Sequence, residues 1–315
     1  MITVVVGAAG QLGRDLCPRL PGTVIPWTRA EVDLARPETI RPALAAQRPD
    51  VVVNCAAYNF VDRAETEVAA AMAVNGWGVR ELAAACRELN AVLVHFSTDY
   101  VFGLENDRRT PYAEGDAPGP ISVYGVSKLA GEYFVRALCP RHYVIRTCGL
   151  YGVWGSGGKG GNFVETMLRR AAEGKPLRVV ADQVCTPSYT VDVARATAAL
   201  ISTGRYGLYH LTNAGECSWF EFAGTIFELA GVRADLSAIN SHAYGAPARR
   251  PSYSVLSHAA YEGLGLPPLR PWREALASYL EERRSRAGET AASAGRGGGG
   301  RRGGGGPPPG AGGRP

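Results

Sequence analysis

A tyrosine and a lysine four residues apart could carry acid–base chemistry in this chain. They are Tyr124 and Lys128, in the segment SVYGVSKLAGE at positions 122–132. On a helix, side chains at this spacing lie on one face, so both would reach the same ligand. A phenol has a pKa of about 10, and a neighbouring ammonium would lower that pKa by stabilising the phenolate. The pair therefore indicates proton transfer, with the lysine also able to bind ribose hydroxyls, although the spacing alone is only suggestive.

A hydroxyl group follows a predicted strand in the segment VHFSTDYVFG at positions 94–103. It belongs to Thr98, and ligands of open α/β sheets bind at the carboxyl ends of the strands. From that place Thr98 could donate a hydrogen bond to a substrate carbonyl and polarise it. The alternative is an ordinary turn or cap threonine.

Three glycines follow the first apolar run in VVVGAAGQLGRDL at positions 4–16. Gly7 permits a tight turn, Gly10 lets the backbone approach a pyrophosphate, and Gly13 allows close packing of helix on strand. Because they lie between a strand and a helix, we interpret the segment as a dinucleotide-binding turn, formed by Gly7, Gly10, Gln11, Leu12 and Gly13. The G-x-x-G-x-x-G spacing favours the short-chain reductase type, and a simple tight turn is the alternative.

The residues after the second predicted strand, TVIPW, bear on the choice of nicotinamide cofactor. No acid stands clearly where an adenine ribose would be held, and Thr28 and Arg29 follow instead. Arg29 could pair with a 2′-phosphate, so we predict NADPH or NADH as cofactor, although a surface arginine explains the residue equally well.

Two further segments could contact a bound cofactor. Asp33 and Leu34 could lie along the adenine, and Ala56, Ala57 and Tyr58 follow the third predicted strand, where a flat ring would press. Turn formation explains either segment almost as well, but their order along the chain supports the cofactor interpretation.

The first 150 residues alternate apolar β-type runs with helical segments, as in a parallel sheet covered on both faces. The predicted strands are ITVVV, TVIPW, DVVVN, AVLVHF and HYVIRT, and a long helix is predicted over 67–89. The predicted fold class is therefore α/β, with a Rossmann-type doubly wound parallel sheet and residues 1–150 as an NAD(P)-binding domain.

The pattern changes after residue 150. Helices are predicted near 163–173 and 191–201, at SWFEFAGTIFELAG and over 271–284, with strands at LRVV and LYHLT. Residues 151–286 should form a smaller C-terminal substrate-binding lobe with segments that return to the sheet.

Residues 287–315 form a Gly/Arg/Pro tail that cannot bury a core and is predicted to be disordered. Its four arginines and single acid account for most of the formal net charge of +5. The rest of the chain therefore gives no reason to expect nucleic-acid binding. The tail has no aromatic residue to stack on a base, so a solvated extension is favoured over an RNA-binding segment.

The overall composition disfavours several other classes of protein. With 46% hydrophobic and 20% charged residues the chain is globular, and its seven scattered cysteines suit reduced thiols. It shows neither a signal peptide nor an apolar run of membrane-spanning length, which predicts a cytoplasmic protein with no membrane contact. We find no metal-ligand spacing, no G-x-S-x-G elbow and no P-loop lysine, so no metal site is predicted and hydrolase and NTPase functions are disfavoured.

Taken together, these segments resemble the extended short-chain dehydrogenase/reductase superfamily and, within it, the dTDP-4-dehydrorhamnose reductase family. The similar stretches include GAAGQLGRDL, NCAAYNFVDRAE, FSTDYVFG, RTCGLYG, DQVCTPSYTVDVA and RPSYSVL, and they span about residues 1–284 in order. The resemblance implies NAD(P)H-dependent reduction of the 4-keto group of dTDP-4-dehydro-L-rhamnose to dTDP-L-rhamnose, a cell-surface polysaccharide precursor. A homodimer is compatible with it.

By position, the resemblance implies that Tyr124 is the proton donor, Lys128 its modulator and Thr98 the partner of the carbonyl. It also implies cofactor or substrate contacts at Asn59, Val61, Tyr100, Asn162 and Arg250. Some relatives have a tryptophan where this chain has Gly149, and Trp154, five residues on, is the candidate to replace it in sugar stacking.

Three alternatives share this fold. Nucleotide-sugar 4,6-dehydratases need two acids after the threonine, whereas here Tyr100 follows Asp99. Epimerases use the same tyrosine and lysine on tightly retained NAD, so a cofactor that copurifies would favour them. A non-catalytic NAD(P)-binding regulatory subunit is less consistent with an intact threonine, tyrosine and lysine set.

Overall fold

The computed structural model of the protein describes residues 1–155 and 161–296, with the backbone alone for 289–296. Within these residues the strands are β1 Ile2–Val6, β2 Thr23–Trp27, β3 Val51–Asn54, β4 Val92–Thr98, β5 His142–Thr147, β6 Leu150–Tyr151, β7 Leu177–Val180, β8 Val184–Cys185, β9 Ser188–Tyr189, β10 Gly207–His210, β11 Cys217–Ser218 and β12 Leu236–Ile239. The helices are α1 Gln11–Leu16, α2 Ile40–Gln47, α3 Val61–Ala64, α4 Val68–Met72, α5 Gly78–Glu88, α6 Val123–Leu138, α7 Phe163–Ala172, α8 Thr190–Ser202, α9 Trp219–Ala230, α10 Ser241–Tyr244, α11 Ala259–Glu262 and α12 Trp272–Arg296.

A parallel sheet forms the centre of the molecule, in the strand order β10-β5-β4-β3-β1-β2. Every residue of β3 and β4 is buried, because helices cover both faces of the sheet. One face packs against α1, α8 and α11, and the other against α2, α5 and α6. The predicted α/β fold class is confirmed, and the five strands expected in the first 150 residues are present.

The long helix expected over 67–89 is interrupted by a wider turn. A π-helical segment, Ala73–Trp77, joins α4 to α5 and contains the buried Asn75. The Asn75 side chain donates to the Tyr58 carbonyl oxygen and to the Ser127 hydroxyl at 2.9 and 3.0 Å. The interruption therefore brings a polar side chain between the end of β3 and helix α6.

The second lobe has a core of its own that is rich in aromatic rings. Tyr151, Phe222 and Tyr279 are fully buried there, and helices α7, α9 and α12 supply much of the surrounding surface. The chain returns to the first lobe through α8, which packs beside α1, and through β10, which forms one edge of the central sheet.

The last helix is longer than the sequence predicted. We expected it to end at residue 284, but α12 continues to Arg296, so the predicted boundary of the tail at 287 falls inside a helix. Residues 285–294 include four alanines and no proline, and this local helix propensity is hidden by the glycine-rich composition of the whole tail. The remaining predicted tail, 297–315, lies outside the described residues.

No helix in the described part of the chain combines the length and the apolar character that a membrane span requires.

Candidate active site

A cleft of ≈ 1020 Å³ opens beyond the carboxyl ends of the central strands and is lined by both lobes. A volume of this size suits a large organic ligand. The structure brings most of the predicted site residues into its wall, namely Gly7, Gly10, Gln11, Leu12, Gly13, Arg29, Asp33, Leu34, Ala56, Ala57, Asn59, Val61, Thr98, Tyr100, Tyr124, Lys128 and Asn162. Three other predicted residues, Tyr58, Trp154 and Arg250, do not line it.

The glycine turn is shaped by close contacts between backbone segments. Gly7 has a φ of +78°, and a Cβ there would lie 2.7 Å from the backbone nitrogen of Ala56. A Cβ on Gly13 would lie 2.6 Å from the Gly7 carbonyl oxygen. Side chains are thus excluded at both positions, which leaves backbone exposed at the cleft between β1 and α1.

The residues expected near an adenine form one end of the cleft. Arg29 is exposed there, beside a turn in which the Glu31 carboxylate accepts hydrogen bonds from the backbone N–H and the hydroxyl of Thr28. The Asp33 carboxylate accepts from the backbone N–H of Ala35 at 3.0 Å. Asp33 therefore both caps a turn and lines the cleft. Turn formation and cofactor contact, the two interpretations made from the sequence, are thus compatible.

Tyr58, which we expected to contact a cofactor, is not among the residues that line the cleft. Its backbone N–H donates to the side chain of Asn75 at 2.9 Å, and its phenol donates to Glu67 at 2.6 Å. The π-helical turn that carries Asn75 therefore holds the backbone of Tyr58, and the sequence analysis did not predict this turn.

Tyr124 and Lys128 lie one turn apart on α6, which begins after the N-cap residue Ser122. Both line the cleft, as expected for residues on one helix face. The Lys128 ammonium is buried and donates to the Phe96 carbonyl oxygen at 2.6 Å. Burial lowers the pKa of Lys128 to about 8, against the opposing influence of the Glu132 carboxylate.

The pKa of Tyr124 moves in the direction opposite to the one expected from the sequence. Burial raises this pKa above its usual value of about 10, and a hydrogen bond with Thr98 opposes the rise. The negative charge of Asp99 adds to the rise in this pKa, and the Lys128 ammonium does not offset it. The phenol is therefore protonated throughout the neutral range, which suits a proton donor.

Thr98 ends β4 and acts as a cap as well as a cleft residue. Its hydroxyl donates to Asp99 at 3.0 Å and accepts from the backbone N–H of Tyr100 at 3.2 Å. The other carboxylate oxygen of Asp99 accepts from the Ser254 hydroxyl at 2.6 Å. The buried Asp99 thus connects the end of β4 to a segment of the second lobe.

The second lobe contributes side chains that the sequence interpretation did not single out. Phe163, Thr166 and Trp219 line the cleft beside Asn162. Asn162 is the N-cap of α7, accepting from the Glu165 backbone N–H at 3.1 Å. Trp219 is the first residue of α9. The S-W-F-E sequence at 218–221 predicts the start of a helix, and it is the one feature of the sequence that indicates where Trp219 lies.

Trp154 and Arg250 have partners outside the cleft wall. The Trp154 indole donates to Asp15 at 3.0 Å, and the guanidinium groups of Arg14 and Arg286 lie over its ring, 5.0 and 4.0 Å from the ring centroid. This placement does not support the expected sugar stacking by Trp154. Arg250 forms an ion pair with Asp62 at 3.0 Å.

Among the described residues, no three or more His, Cys, Asp or Glu side chains are grouped so that they could hold a metal ion. All seven cysteines are free.

Comparisons with known proteins agree with this geometry. The chain is 42% identical over 285 residues to the spore coat polysaccharide biosynthesis protein SpsK of Bacillus subtilis, covering 90% of this chain and 98% of that protein. It is 43% identical over 295 residues to a dTDP-4-dehydrorhamnose reductase of Streptomyces griseus, covering 90% and 95%.

Solved structures give the same result. The crystal structure of dTDP-4-dehydrorhamnose reductase from Bacillus anthracis in complex with NADP superposes with a TM-score of 0.84 at 37% identity, covering 89% of this chain and 99% of that one. A family model described as the RmlD substrate binding domain matches residues 1–285. The resemblance inferred from the sequence is confirmed, and this chain belongs to the RmlD family.

Proposed function

We propose that this protein reduces the 4-keto group of dTDP-4-dehydro-L-rhamnose with NADPH or NADH and releases dTDP-L-rhamnose. One observation carries the proposal: Thr98, Tyr124 and Lys128 line the same cleft as the glycine turn. The relatives named dTDP-4-dehydrorhamnose reductase, and the one crystallised with NADP, support the choice of substrate and cofactor.

The first-lobe end of the cleft fits a dinucleotide. Gly7 and Gly13 leave no room for side chains where a pyrophosphate would approach the backbone. Three residues of the cleft wall, Gln11, Ser97 and Thr147, each have a buried side-chain oxygen without a hydrogen-bond partner among the described residues. Arg29 would hold a 2′-phosphate. When bound, the nicotinamide supplies the hydride that C4 of the sugar receives.

Tyr124 donates the proton that completes the reduction. Its raised pKa keeps the phenol protonated, so it can pass its proton to the sugar O4 as negative charge develops there. The Thr98 hydroxyl, now donating to Asp99, takes the sugar carbonyl as its acceptor when substrate is present. Both groups act on one oxygen, as a carbonyl reduction requires.

Lys128 would provide a positive charge beside the Tyr124 phenol and the cofactor ribose. With a pKa of about 8 it is mostly protonated at neutral pH, and its hydrogen bond to Phe96 fixes the ammonium at the end of β4. It would bind ribose hydroxyls of the cofactor and stabilise the phenolate that remains after proton transfer.

The sugar nucleotide would occupy the part of the cleft between the lobes. Asn59, Val61 and Tyr100 belong to the first-lobe wall and Asn162 to the second. Arg250 stays a proposed substrate residue, because its ion-pair partner Asp62 directly follows Val61.

We further propose that the protein acts in the cytoplasm, where its free thiols stay reduced, and that it forms a homodimer. Large apolar side chains are exposed on the face formed by α4, the π-helical turn and α6, namely Val68, Trp77, Val126 and Tyr133. Sedimentation velocity would show the mass of one chain if the homodimer is wrong.

NADPH oxidation with a panel of nucleotide 4-keto sugars tests the function. We expect turnover with dTDP-4-dehydro-L-rhamnose, less with UDP- or GDP-linked sugars, and a rate at least about 100-fold lower with the Tyr124→Phe variant. Absence of NADPH oxidation with every keto sugar, by a folded protein, would overturn the proposal. Copurifying NAD together with interconversion of sugar epimers would favour the epimerase instead.

A further inference from the structure

Trp219 is an aromatic residue of the cleft wall that the proposed mechanism does not use. It is the first residue of α9, is only partly buried, and lines the same cleft as Thr98 and Tyr124. Its indole N–H has no acceptor among the described residues. A large apolar ring left partly uncovered inside a cleft is a contact surface for a ligand.

The ring is held in place before any ligand binds. Ser218 and Glu221 form a reciprocal capping box at the start of α9, which fixes the backbone at Trp219. The ring also packs against Phe163, with ring centroids 4.8 Å apart, and more distantly against Phe222 at 6.2 Å. Because Phe163 starts α7, the ring is supported by two helices of the second lobe.

The same ring reaches across to the first lobe at Gly149. A Cβ on Gly149 would lie 3.1 Å from Cη2 of the indole and 3.2 Å from Cα of Pro187, and Gly149 has a φ of +51°. Gly149 follows the end of β5, where Thr147 and Cys148 also line the cleft. Glycine at 149 therefore leaves the space that the indole edge occupies beside the catalytic end of the cleft.

We propose that Trp219 determines specificity for the sugar, by packing its ring against the apolar C5–C6 edge of a 6-deoxyhexose. A methyl group at C6 gains from an apolar partner, whereas a hydroxymethyl group there would lose hydrogen bonds to water. The inference rests on the proposed function and deepens it, because it assigns the part of the substrate that the second lobe contacts.

Steady-state kinetics of Trp219→Ala and Trp219→Phe test the assignment. We expect Trp219→Ala to raise KM for the keto sugar by about 10-fold or more, the size of a lost apolar contact in a specificity pocket. The KM for NADPH and kcat should stay within about threefold, and Trp219→Phe should recover most of the affinity. The control is Phe220→Ala, which removes the next aromatic ring of α9, one that is not in the cleft wall.

Inhibition by dTDP separates contact with the sugar from contact with the nucleotide. The Ki of dTDP, which lacks the sugar, should be unchanged in Trp219→Ala. A parallel rise in that Ki would assign the ring to the base, and a raised KM for NADPH would assign it to the cofactor. Either result overturns the proposal, as does an unchanged KM for the sugar.

A double-mutant cycle tests the contact with Gly149. Gly149→Ala should raise the sugar KM in the wild-type background by displacing the indole, and should add little in Trp219→Ala. Additive effects would show that Gly149 does not act through Trp219. A thermal melt of each variant confirms that it is folded.

Binding of dTDP-L-rhamnose by calorimetry requires no turnover and separates this inference from the proposed function. If the wild-type protein reduces no keto sugar but Trp219→Ala still weakens dTDP-L-rhamnose binding, only the function fails. If the wild-type protein is an active reductase and Trp219→Ala binds dTDP-L-rhamnose normally, only the inference fails.

Discussion

The two halves of the cleft are built in different ways. The first-lobe half is shaped by backbone: Gly7, Gly13 and Ala56 approach so closely that a Cβ on either glycine would collide with backbone atoms. The second-lobe half is shaped by side chains, Asn162, Phe163 and Trp219, which stand at the starts of two helices. Backbone contacts tolerate almost no change, whereas Phe163 and Trp219, the first residues of their helices, do not cap those helices with their side chains.

This difference separates the requirements of the two proposed ligands. NADH and NADPH share one pyrophosphate, so a rigid backbone turn suits the binding of that group in either cofactor. Sugar substrates differ by single groups, and specificity toward them depends on the side chains that meet those groups. Substitutions in the first-lobe half should therefore weaken cofactor binding, and substitutions in the second-lobe half should weaken sugar binding. A substitution at Tyr124 should lower the rate of reduction.

The largest effect is expected where the halves meet, at Tyr124. Tyr124→Phe removes the proton donor and keeps the ring, so kcat should fall by at least about 100-fold while the Kd for NADPH is unchanged. Steady-state NADPH oxidation measures kcat, and NADPH titration measures the Kd. A variant that reduces the keto sugar at the wild-type rate would exclude Tyr124 as the donor.

A change in the backbone-shaped half should damage the cofactor site as a whole. In Gly13→Ala the new Cβ would lie 2.6 Å from the Gly7 carbonyl oxygen and 2.7 Å from Cα of Ala8, and both neighbours are backbone. We expect the turn to shift at a cost of about 1–3 kcal/mol and the Kd for NADPH to rise by about 10-fold or more. Equilibrium titration measures this Kd, and dTDP binding in the other half serves as the control. Unchanged NADPH affinity would show that the turn does not contact the cofactor.

The pH dependence should identify Lys128 as the group that titrates. Its pKa is lowered to about 8, so the ammonium loses its proton as the pH rises through that value, while the Tyr124 phenol, with a raised pKa, stays protonated. The kcat/KM for NADPH should therefore decline above pH about 8. In Lys128→Arg the cation persists, and the alkaline decline should disappear even if the overall rate is lower. An unchanged decline in that variant would point to another group.

The smallest effect is expected from the C-terminal tail, which belongs to neither half of the cleft. Removal of residues 297–315, which leaves α12 complete to Arg296, should keep kcat/KM within about twofold. Removal of residues 287–315 is a more severe truncation, because it shortens α12 just after Arg286, whose guanidinium lies over Trp154. A large loss of kcat/KM on removal of residues 297–315 would show that the tail has a role in the reaction.

Much of the site could be predicted because its residues lie in short contiguous segments. The glycine turn, Thr98 after β4, and Tyr124 with Lys128 on α6 are each set by local spacing within one element. Trp219 could not be assigned in this way, because its place depends on contacts with Phe163 and on the space at Gly149, which are distant in sequence. The partners of Tyr58 and Trp154, which are Asn75 and Asp15, could not be predicted for the same reason.

The amino-acid sequence alone determined the alternation of strands and helices, the glycine turn and the helix face shared by Tyr124 and Lys128, because apolar periodicity and local geometry are properties of neighbouring residues. Only the tertiary structure decided the direction of the pKa shifts and the residues of the second-lobe wall. Burial sets the pKa values of Tyr124 and Lys128, and burial is known only once the lobes have packed.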